Sequence, residues 1–339
     1  MGILLISVLL TIKEERTDVN LNFPMNSWAS VVYYYEDFKK IFIVLGERMF
    51  QIISDGSCDF TADEVKNSQI GIVPFYITFD ETTYLKEGVD ITKDAYFTRL
   101  KQEKDTFPKT SQPSPQDYFD VYSEALKAGK DVLVITLSSK LSGSNNSARI
   151  AADMAKDEYP NNQVIVLDSL NATIAQGLVL RELIKMREAG LSLSGAADKG
   201  QQIIDSTQIF FTPETLEYLK RGGRISSSKA AIGNALGIRP ILTVVEGAAS
   251  QLGKARGQNK ALKIILETLV EAVSDTKDRL SFQVGHIVNE EAAIAFKETV
   301  EQTLGIKINT PIGAVGATIG THIGPGAVAV AYCKKYDTL

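Results

Sequence analysis

Hydroxyl-bearing side chains are concentrated in two short segments of the chain. Residues 110–115 read Thr-Ser-Gln-Pro-Ser-Pro, and residues 136–144 read Thr-Leu-Ser-Ser-Lys-Leu-Ser-Gly-Ser. The second segment follows a predicted strand and precedes a predicted helix, so unpaired N–H groups and the positive end of a helix dipole would face the turn. Such a turn suits an anion, and carboxylate and phosphate both qualify.

Part of the first segment has a structural explanation. Ser114 followed by Asp117 fits a capping box, and Pro115 suits the first position of a helix. Thr110 and Ser111 are not needed for capping, so their hydroxyls could point into a crevice. The second segment alone fits a turn and a helix cap as well as it fits an anion site. Two such segments beside neighbouring strands favour the anion site, because both would open on one edge of the sheet.

Two basic side chains also lie next to glycine-rich sequence. The sequence Arg-Gly-Gly-Arg at 221–224 can end a helix in the left-handed conformation and leave Arg224 projecting, although a solvated surface arginine fits equally well. His322 precedes a Gly-Pro-Gly sequence, which predicts an imidazole held on a rigid turn. The other histidine, His286, lies in a predicted strand, and we interpret it as structural.

Composition excludes several classes of protein. The 339 residues include 36 Lys plus Arg against 41 Asp plus Glu, a net charge of −5, so the basic excess typical of nucleic-acid binding is absent. The two cysteines, Cys58 and Cys333, are far apart and have no histidine at ligand spacing. These features predict no metal site and a reducing, cytoplasmic location. The sequence contains neither a nucleophile elbow nor a P-loop, and the loose G-x-G-x-x-A match at 324–329 precedes a predicted strand rather than a helix.

From residue 49 onward, short apolar runs alternate with segments of helical spacing. Predicted strands lie at 51–54, 72–79, 132–136, 164–167 and 208–211, and predicted helices lie at 115–128, 145–156, 173–188 and 193–206. This alternation is typical of βαβ units. It predicts an α/β fold whose first part is a mostly parallel sheet with helices on both faces.

The pattern changes after residue 211 and predicts a second, smaller α/β domain. Predicted strands lie at 241–245, 281–288, 306–315 and 327–332, predicted helices lie at 213–221, 258–274 and 290–304, and residues 230–237 form a stretch of small side chains. We place an N-terminal domain at 49–206 and a C-terminal domain at 207–339.

Residues 1–48 are interpreted as an extension outside the domain, or as the product of an upstream start site. Their apolar run at 2–12 is shorter than the roughly 20 residues needed to cross a bilayer. No positive charge precedes the run, as a secretory signal would require.

Four motifs follow one another along residues 49–339. They are Thr-Ser-Gln-Pro-Ser at 110–114, Ser-Ser-Lys-Leu-Ser-Gly at 138–143, Gly-Arg-Ile-Ser at 223–226 and His-Ile-Gly-Pro-Gly at 322–326. Together they resemble the DegV family of fatty-acid-binding proteins, which includes the lipid-carrying subunits of bacterial fatty acid kinase. The resemblance implies two α/β domains, joined as one DegV-like unit, with one long-chain fatty acid held between them.

The resemblance also implies roles for individual residues. Thr110 and Ser142 would hydrogen-bond the carboxylate with His322 close by, and Ser111, Ser139 and Gly143 would support the loops. From its place at a glycine-terminated helix end, Arg224 would serve the partner or the phosphate, with Lys254 and Arg256 as weaker candidates. The fatty acid would be the only ligand, with no cofactor and no metal.

The chain itself would bind the fatty acid and present its carboxylate, and it would not catalyse the phosphorylation. In the kinase system a separate ATP-using subunit phosphorylates the bound acid to an acyl phosphate for phospholipid synthesis. The chain departs from the family pattern at Ser144-Asn145, where Thr-Tyr is usual, and at Glu246-Gly247, where Asp-Gly is usual. Asn145 would alter the width of the pocket.

Two other functions stay open at this stage. A phosphotransfer enzyme could use His322 as the phosphoryl acceptor, and phosphohistidine on the protein would identify it. A sensor or scaffold could hold lipid only as a structural filler, and its ligand would not exchange.

Overall fold

The computed structural model describes residues 30–35, 40–45, 50–103, 106–225 and 237–339, the first two ranges as backbone only. Most of the predicted extension, the domain start at Met49, Ser226 and nearly all of the small-residue stretch therefore lie outside the described residues. Within the extension, β1 (Ser30–Tyr35) and β2 (Lys40–Leu45) pair antiparallel as a two-stranded sheet of their own. The sequence patterns do not predict this hairpin.

The predicted parallel sheet is confirmed. Its order is β4-β3-β8-β9, and every neighbouring pair is parallel. Ile52 and Ile53 point to opposite faces and both are fully buried, because helices cover both sides. The strands are β3 (Phe50–Asp55), β4 (Gly71–Val73), β8 (Asp131–Thr136) and β9 (Val164–Asp168), and the helices of this part are α1 (Ala62–Ser68), α3 (Pro115–Lys127), α4 (Ser144–Glu158), α5 (Thr173–Glu188) and α6 (Leu193–Ser206).

A small antiparallel sheet with one helix is inserted between β4 and α3. It contains β5 (Tyr76–Thr78), β6 (Leu85–Lys86) and β7 (Lys109–Ser111) in the order β6-β5-β7, together with α2 (Lys93–Gln102). The single strand predicted at 72–79 is wrong, because β4 ends before Pro74 and β5 begins after it in a different sheet. Proline has no N–H to donate to a ladder, which favours a break at this point.

The second large sheet has the order β12-β11-β10-β15-β13-β14 and is antiparallel except for the pair β13 and β14. Its strands are β10 (Gln208–Thr212), β11 (Ile238–Val245), β12 (Ala248–Arg256), β13 (Leu280–His286), β14 (Gly313–Ala314) and β15 (Val328–Lys334), and its helices are α7 (Glu217–Arg221), α8 (Gln258–Val273), α9 (Glu290–Leu304) and α10 (Ala317–Ile323). Two expectations are corrected here. The strand predicted at 306–315 is reduced to β14, and β12 was not predicted.

His322 lies in the last turn of α10 rather than on a glycine-rich turn. Because of its glycines, the sequence pattern does not predict this helix. Gly320 sits against the ring of Phe97, where an added Cβ would lie 2.5 Å from Cζ, so close packing requires glycine inside the helix despite its low helix propensity.

Helix α5 joins the two large sheets into one packed body. It contacts β3 and β8 of the first sheet and β13 and β15 of the second. The largest buried cluster accordingly contains Ile52, Leu178, Phe211 and Ala329 from both sides. The boundary predicted at 206 falls between α6 and β10, and one hydrophobic core crosses it. Within the described part of the chain, no helix is long and apolar enough to cross a bilayer.

Candidate ligand-binding cavity

A cavity of about 380 Å³ lies between the two large sheets and α10. Its volume is in the range of small-molecule sites. Most of its wall is apolar, and includes Leu137, Ile209, Phe211, Val244, Ile287 and Ile319. Thr110, Ser142, Arg224 and His322, which the sequence singles out, also line it. The structure thus brings residues separated by more than half of the chain to one apolar cavity.

Thr110 and His322 are hydrogen-bonded to each other. Thr110 Oγ1 lies 2.8 Å from His322 Nε2, which joins β7 to α10. The other ring nitrogen, Nδ1, is buried and has no partner among the described residues. A proton on Nε2 therefore has an acceptor, whereas a proton on Nδ1 would have none. This tautomer leaves the Thr110 hydroxyl hydrogen available for a ligand.

The imidazole of His322 is neutral at physiological pH. Burial, followed by the nearby positive charge of Arg224, lowers the pKa of His322 to about 4. A neutral imidazole donates one hydrogen bond without bringing a full charge to the cavity. It can therefore orient the Thr110 hydroxyl but does not form an ion pair with a bound anion.

Ser142 is positioned by the turn between β8 and α4. The Ser142 N–H donates to the carbonyl of Ser138 over 3.1 Å, and Ser142 Oγ accepts the Ser144 N–H over 3.2 Å. The Ser142 hydroxyl oxygen thus accepts within the turn, and its hydrogen is left to donate elsewhere. Gly143 lies against the amide end of Gln112, since a Cβ there would lie 2.2 Å from Gln112 Oε1 and would displace that side chain.

The remaining predicted loop residues occupy different positions. Ser111 lines the cavity but is exposed. Ser139 is exposed as well and does not line the cavity; its N–H donates to Asp168. Asn145 is buried and donates to Thr136 Oγ1 over 3.0 Å, and it does not line the cavity. The expectation that Asn145 sets the width of the pocket is therefore wrong.

Arg224 is held beside this group rather than projecting freely. Its Nε donates to the carbonyl of Leu141 over 3.2 Å, and its Nη1 donates to the carbonyl of Gly222. Gly222 is in turn packed against the imidazole of His322, where an added Cβ would lie 2.3 Å from Nδ1. The guanidinium therefore connects the end of α7 to the turn that carries Ser142.

A buried carboxylate, Asp55, holds the turn that contains Ser142 in place by hydrogen bonds. It ends β3, is fully buried and accepts five hydrogen bonds. The donors are the Leu137 N–H at 2.8 Å, Ser144 Oγ at 2.8 Å, Tyr118 OH at 3.3 Å, Ser57 Oγ at 2.6 Å and Gln176 Nε2 at 2.9 Å. Both ends of the turn that contains Ser142 are thus tied to one carboxylate. The sequence analysis missed Asp55, although an acid at the carboxyl end of a strand is a recognisable signal.

Two further acids hold the amino end of α10. Asp59 Oδ1 accepts the Gly316 N–H over 2.8 Å, and Glu87 accepts the N–H groups of Ala317 and Thr318, the latter over 3.0 Å. Burial, opposed in part by the Thr173 hydroxyl and reinforced by Glu87, raises the pKa of Asp59 to about 7. These acids fix the start of the helix whose last turn carries His322.

His286 also lines the cavity. Its Nδ1 accepts the Asn289 N–H over 3.1 Å, and burial lowers its pKa. It therefore has the structural bond expected of it and also a place in the cavity wall, which sequence reasoning did not predict. In the described part of the chain, no three His, Cys, Asp or Glu side chains are grouped so that they could hold a metal ion.

Comparison with known proteins identifies the family. The family model described as "Uncharacterised protein, DegV family" matches residues 49–335. A DegV domain-containing protein of Caldanaerobacter subterraneus is 32% identical over 290 residues, which cover 84% of this chain and 98% of the relative. The chain belongs to the DegV family.

Solved structures of DegV proteins have the same fold. A stearic-acid-binding protein from Eubacterium ventriosum is 33% identical with a TM-score of 0.82, over 86% of this chain and 100% of that one. A DegV protein from Thermus thermophilus, described by its fatty acid binding, is 30% identical with a TM-score of 0.76, over 85% and 99% of the two chains. The α/β fold of this DegV protein and its two large sheets are therefore those of fatty-acid-binding relatives.

Proposed function

We propose that this protein binds one long-chain fatty acid in the cavity between its two large sheets. The single observation that carries the proposal is the hydrogen-bonded pair of Thr110 and His322, which lies with Ser142 in a cavity whose wall is mostly apolar. Thr110 and Ser142 would donate to the carboxylate, and the neutral imidazole would orient the Thr110 hydroxyl. The DegV relatives with bound stearic or other fatty acids support this assignment.

The tail and the head group would have different tasks. About 14 buried methylenes at roughly 0.8 kcal/mol each contribute on the order of 11 kcal/mol before entropic costs. A hydrogen bond to a charged group adds only about 1.5–3 kcal/mol. The tail would therefore dominate affinity, while the hydroxyls compensate the desolvation of the carboxylate and fix its position.

The bound carboxylate would be presented to a separate ATP-using kinase subunit. There a carboxylate oxygen would attack the γ-phosphorus of ATP, ADP would leave, and an acyl phosphate for phospholipid synthesis in the cytoplasm would form. Arg224 suits a role near the transferred phosphoryl group, because its guanidinium is fixed by two carbonyls beside Ser142. The chain would then be the lipid-binding subunit and not the catalyst.

A phosphohistidine enzyme fits the geometry less well. His322 Nε2 is occupied by Thr110, and Nδ1 is buried against Gly222. Neither nitrogen is open to in-line attack on a phosphoryl donor.

Organic extraction of the purified protein followed by mass spectrometry tests fatty acid binding. We expect fatty acid in stoichiometric amount, exchangeable with added acid. Lipid-free, stable protein that takes up no fatty acid would contradict the proposal, and lipid that never exchanges would favour a scaffold. For the kinase step, Arg224→Ala should keep its lipid but form less acyl phosphate in a reconstituted assay; unchanged phosphorylation would remove that role.

A further inference from the structure

The buried carboxyl group of Asp59 lies directly behind the wall of the cavity. Asp59 does not line the cavity itself, but the hydroxyl-bearing residue that faces it, Thr173, does, and Asp59 Oδ1 accepts the N–H of Gly316 at the start of α10. The second oxygen, Oδ2, is buried and has no hydrogen-bond donor within bonding distance among the described residues. A buried carboxylate with one oxygen unpaired is disfavoured against its protonated form.

A second carboxyl group lies beside that of Asp59. Glu87 accepts the N–H groups of Ala317 and Thr318, the two amides that follow Gly316. A Cβ added to Gly316 would clash with Glu87 Oε1 and would lie 2.9 Å from Asp59 Oδ1, so oxygens of both acids surround one residue. Two carboxyl groups this close repel each other when both are ionised, which favours a proton on one of them.

The other titratable groups around Asp59 do not hold it ionised. Lys93 of α2 lowers the pKa of Asp59, but its Nζ donates to the carbonyl of Ala314 over 3.1 Å. On the other side, Asp55 has hydrogen-bond donors of its own, and the Cys58 thiol is neutral because burial raises its pKa to about 12.

The balance of these effects places the titration of Asp59 near neutral pH. Burial raises the pKa of Asp59 to about 7, the Thr173 hydroxyl opposes this in part, and Glu87 reinforces it. In the protein without ligand, Asp59 is therefore partly ionised at pH 7, and a small change in its surroundings changes how much proton it holds.

A fatty acid that fills the cavity would make such a change. The acyl chain would replace water against Thr173 with hydrocarbon, which lowers the local dielectric. The bound carboxylate would add a negative charge at the other end of α10, beside His322. Both changes disfavour the ionised form of Asp59, so the complex would hold a proton that the free protein partly loses.

We propose that fatty acid binding by this protein is linked to a proton at Asp59, which is taken up from solvent as the acid binds and returned as the acid leaves. In acid, Asp59 holds its proton in both states, and affinity does not depend on it. As the pH rises through neutrality, the free protein loses the proton first, and affinity falls. The inference rests on the proposed fatty acid binding and adds a pH-dependent release to it.

The test compares the pH dependence of binding in wild type and in Asp59→Asn. Dissociation constants for palmitic acid are measured on delipidated protein at intervals from pH 6 to pH 9. Ionisation of the ligand itself contributes to both proteins, so it cancels in the comparison. Over this range the affinity of wild type should fall about tenfold more than that of Asp59→Asn, which corresponds to a rise of one unit in the pKa of Asp59 on binding.

Two further variants complete the test. Asp63→Asn changes an exposed acid of α1 and should keep the pH dependence of wild type. Glu87→Gln removes the neighbouring charge but keeps Asp59, so affinity should begin to fall at a lower pH, and this variant decides the matter if Asp59→Asn does not fold. Equal pH dependence in wild type and Asp59→Asn, or no shift in Glu87→Gln, would overturn the proton linkage. If wild type binds palmitic acid at no pH, the proposed function itself fails.

Discussion

The carboxylate of Asp59 accepts the backbone N–H of Gly316 over 2.8 Å, across 257 positions of sequence. This bond ties the loop after β3 to the start of α10, and α10 carries Thr318 and His322 into the cavity. The position of the proposed head-group site thus depends on an acid that lies outside it. Because the carboxyl group of Asp59 is buried, its protonation should be visible in the free energy of unfolding.

Asp59→Asn should stabilise the delipidated protein at neutral pH but not in acid. The pKa of Asp59 is raised from 3.8 to about 7, so the folded protein holds this proton where the unfolded chain has lost it. The stabilising contribution is complete below pH 3.8 and is lost as the pH rises through 7. Asparagine does not titrate and its Oδ1 can still accept the Gly316 N–H. Urea unfolding at pH 5 and pH 8 should show a gain that grows with pH, up to about 4 kcal/mol.

Exposed Asp63 in α1 provides the matched control, since Asp63→Asn should show no such trend. A gain for Asp59→Asn that is equal at both pH values would contradict the assignment.

His322 should have the opposite pH dependence. Its pKa is lowered from 6.5 to about 4, so the unfolded chain binds the proton first as the pH falls. The contribution of the neutral imidazole is complete above pH 6.5 and is lost toward pH 4, on the order of 3 kcal/mol in total. His322→Gln cannot be protonated and should lose less stability over this range. Asp59 titrates in both proteins, so its contribution cancels when the free energies of unfolding of wild type and variant are subtracted. A difference in the free energy of unfolding that does not change with pH would refute the prediction.

The sequence predicts the first large sheet well because its strands are buried on both faces. Continuous apolar runs such as 132–135 are typical of strands that are buried on both faces. The four motif segments were found by their order along the chain, because hydroxyl and glycine residues at a single strand or helix end also fit caps and turns. All four of these segments supply cavity-lining residues: Thr110, Ser142, Arg224 and His322.

The parts that the sequence does not predict depend on tertiary contacts. β12 is a half-exposed edge strand without an apolar alternation, and α10 contains a glycine that only the ring of Phe97 explains. Asp59 and Glu87 act on partners far away in sequence, so no local spacing marks them, whereas Asp55 follows a predicted strand directly and carries a signal that the sequence does offer. The role of such an acid can be assigned only when the folded structure shows which hydrogen-bond donors it contacts.

Val288→Gly should stabilise the protein. Val288 is 60% exposed and has a φ of 48°, a left-handed backbone that a β-branched residue adopts only under strain. Glycine adopts it freely, and after its greater loss of entropy on folding the net gain should be about 1 kcal/mol in urea unfolding. Val89, 71% exposed with no left-handed backbone, is the control, and Val89→Gly should give no gain. Equal effects at the two positions would argue against strain at Val288.

Deletion of residues 1–48 should leave fatty acid binding intact. The family match begins at residue 49, and β1 and β2 pair with each other in a sheet of their own. Soluble yield and lipid content of the truncated protein, compared with the full chain, check this. Loss of either one would show that the segment contributes to the fold or the site.

Ser142→Ala should separate placement of the head group from affinity. The substitution removes one hydrogen bond, worth a few kcal/mol at most, against a larger contribution from the tail, so bound lipid should still be found. The carboxylate should lose its position, and a displacement of about 1 Å of a reacting group can cost roughly 100-fold in rate. Phosphorylation by the kinase partner should therefore fall far more than lipid occupancy, in Ser142→Ala and also in Thr110→Val, which removes the partner of His322 Nε2.

Ser139→Ala is the matched control, because Ser139 is exposed and does not line the cavity. Parallel losses of occupancy and phosphorylation would mean that the pair acts through affinity or folding, and no loss of either would place the head group elsewhere.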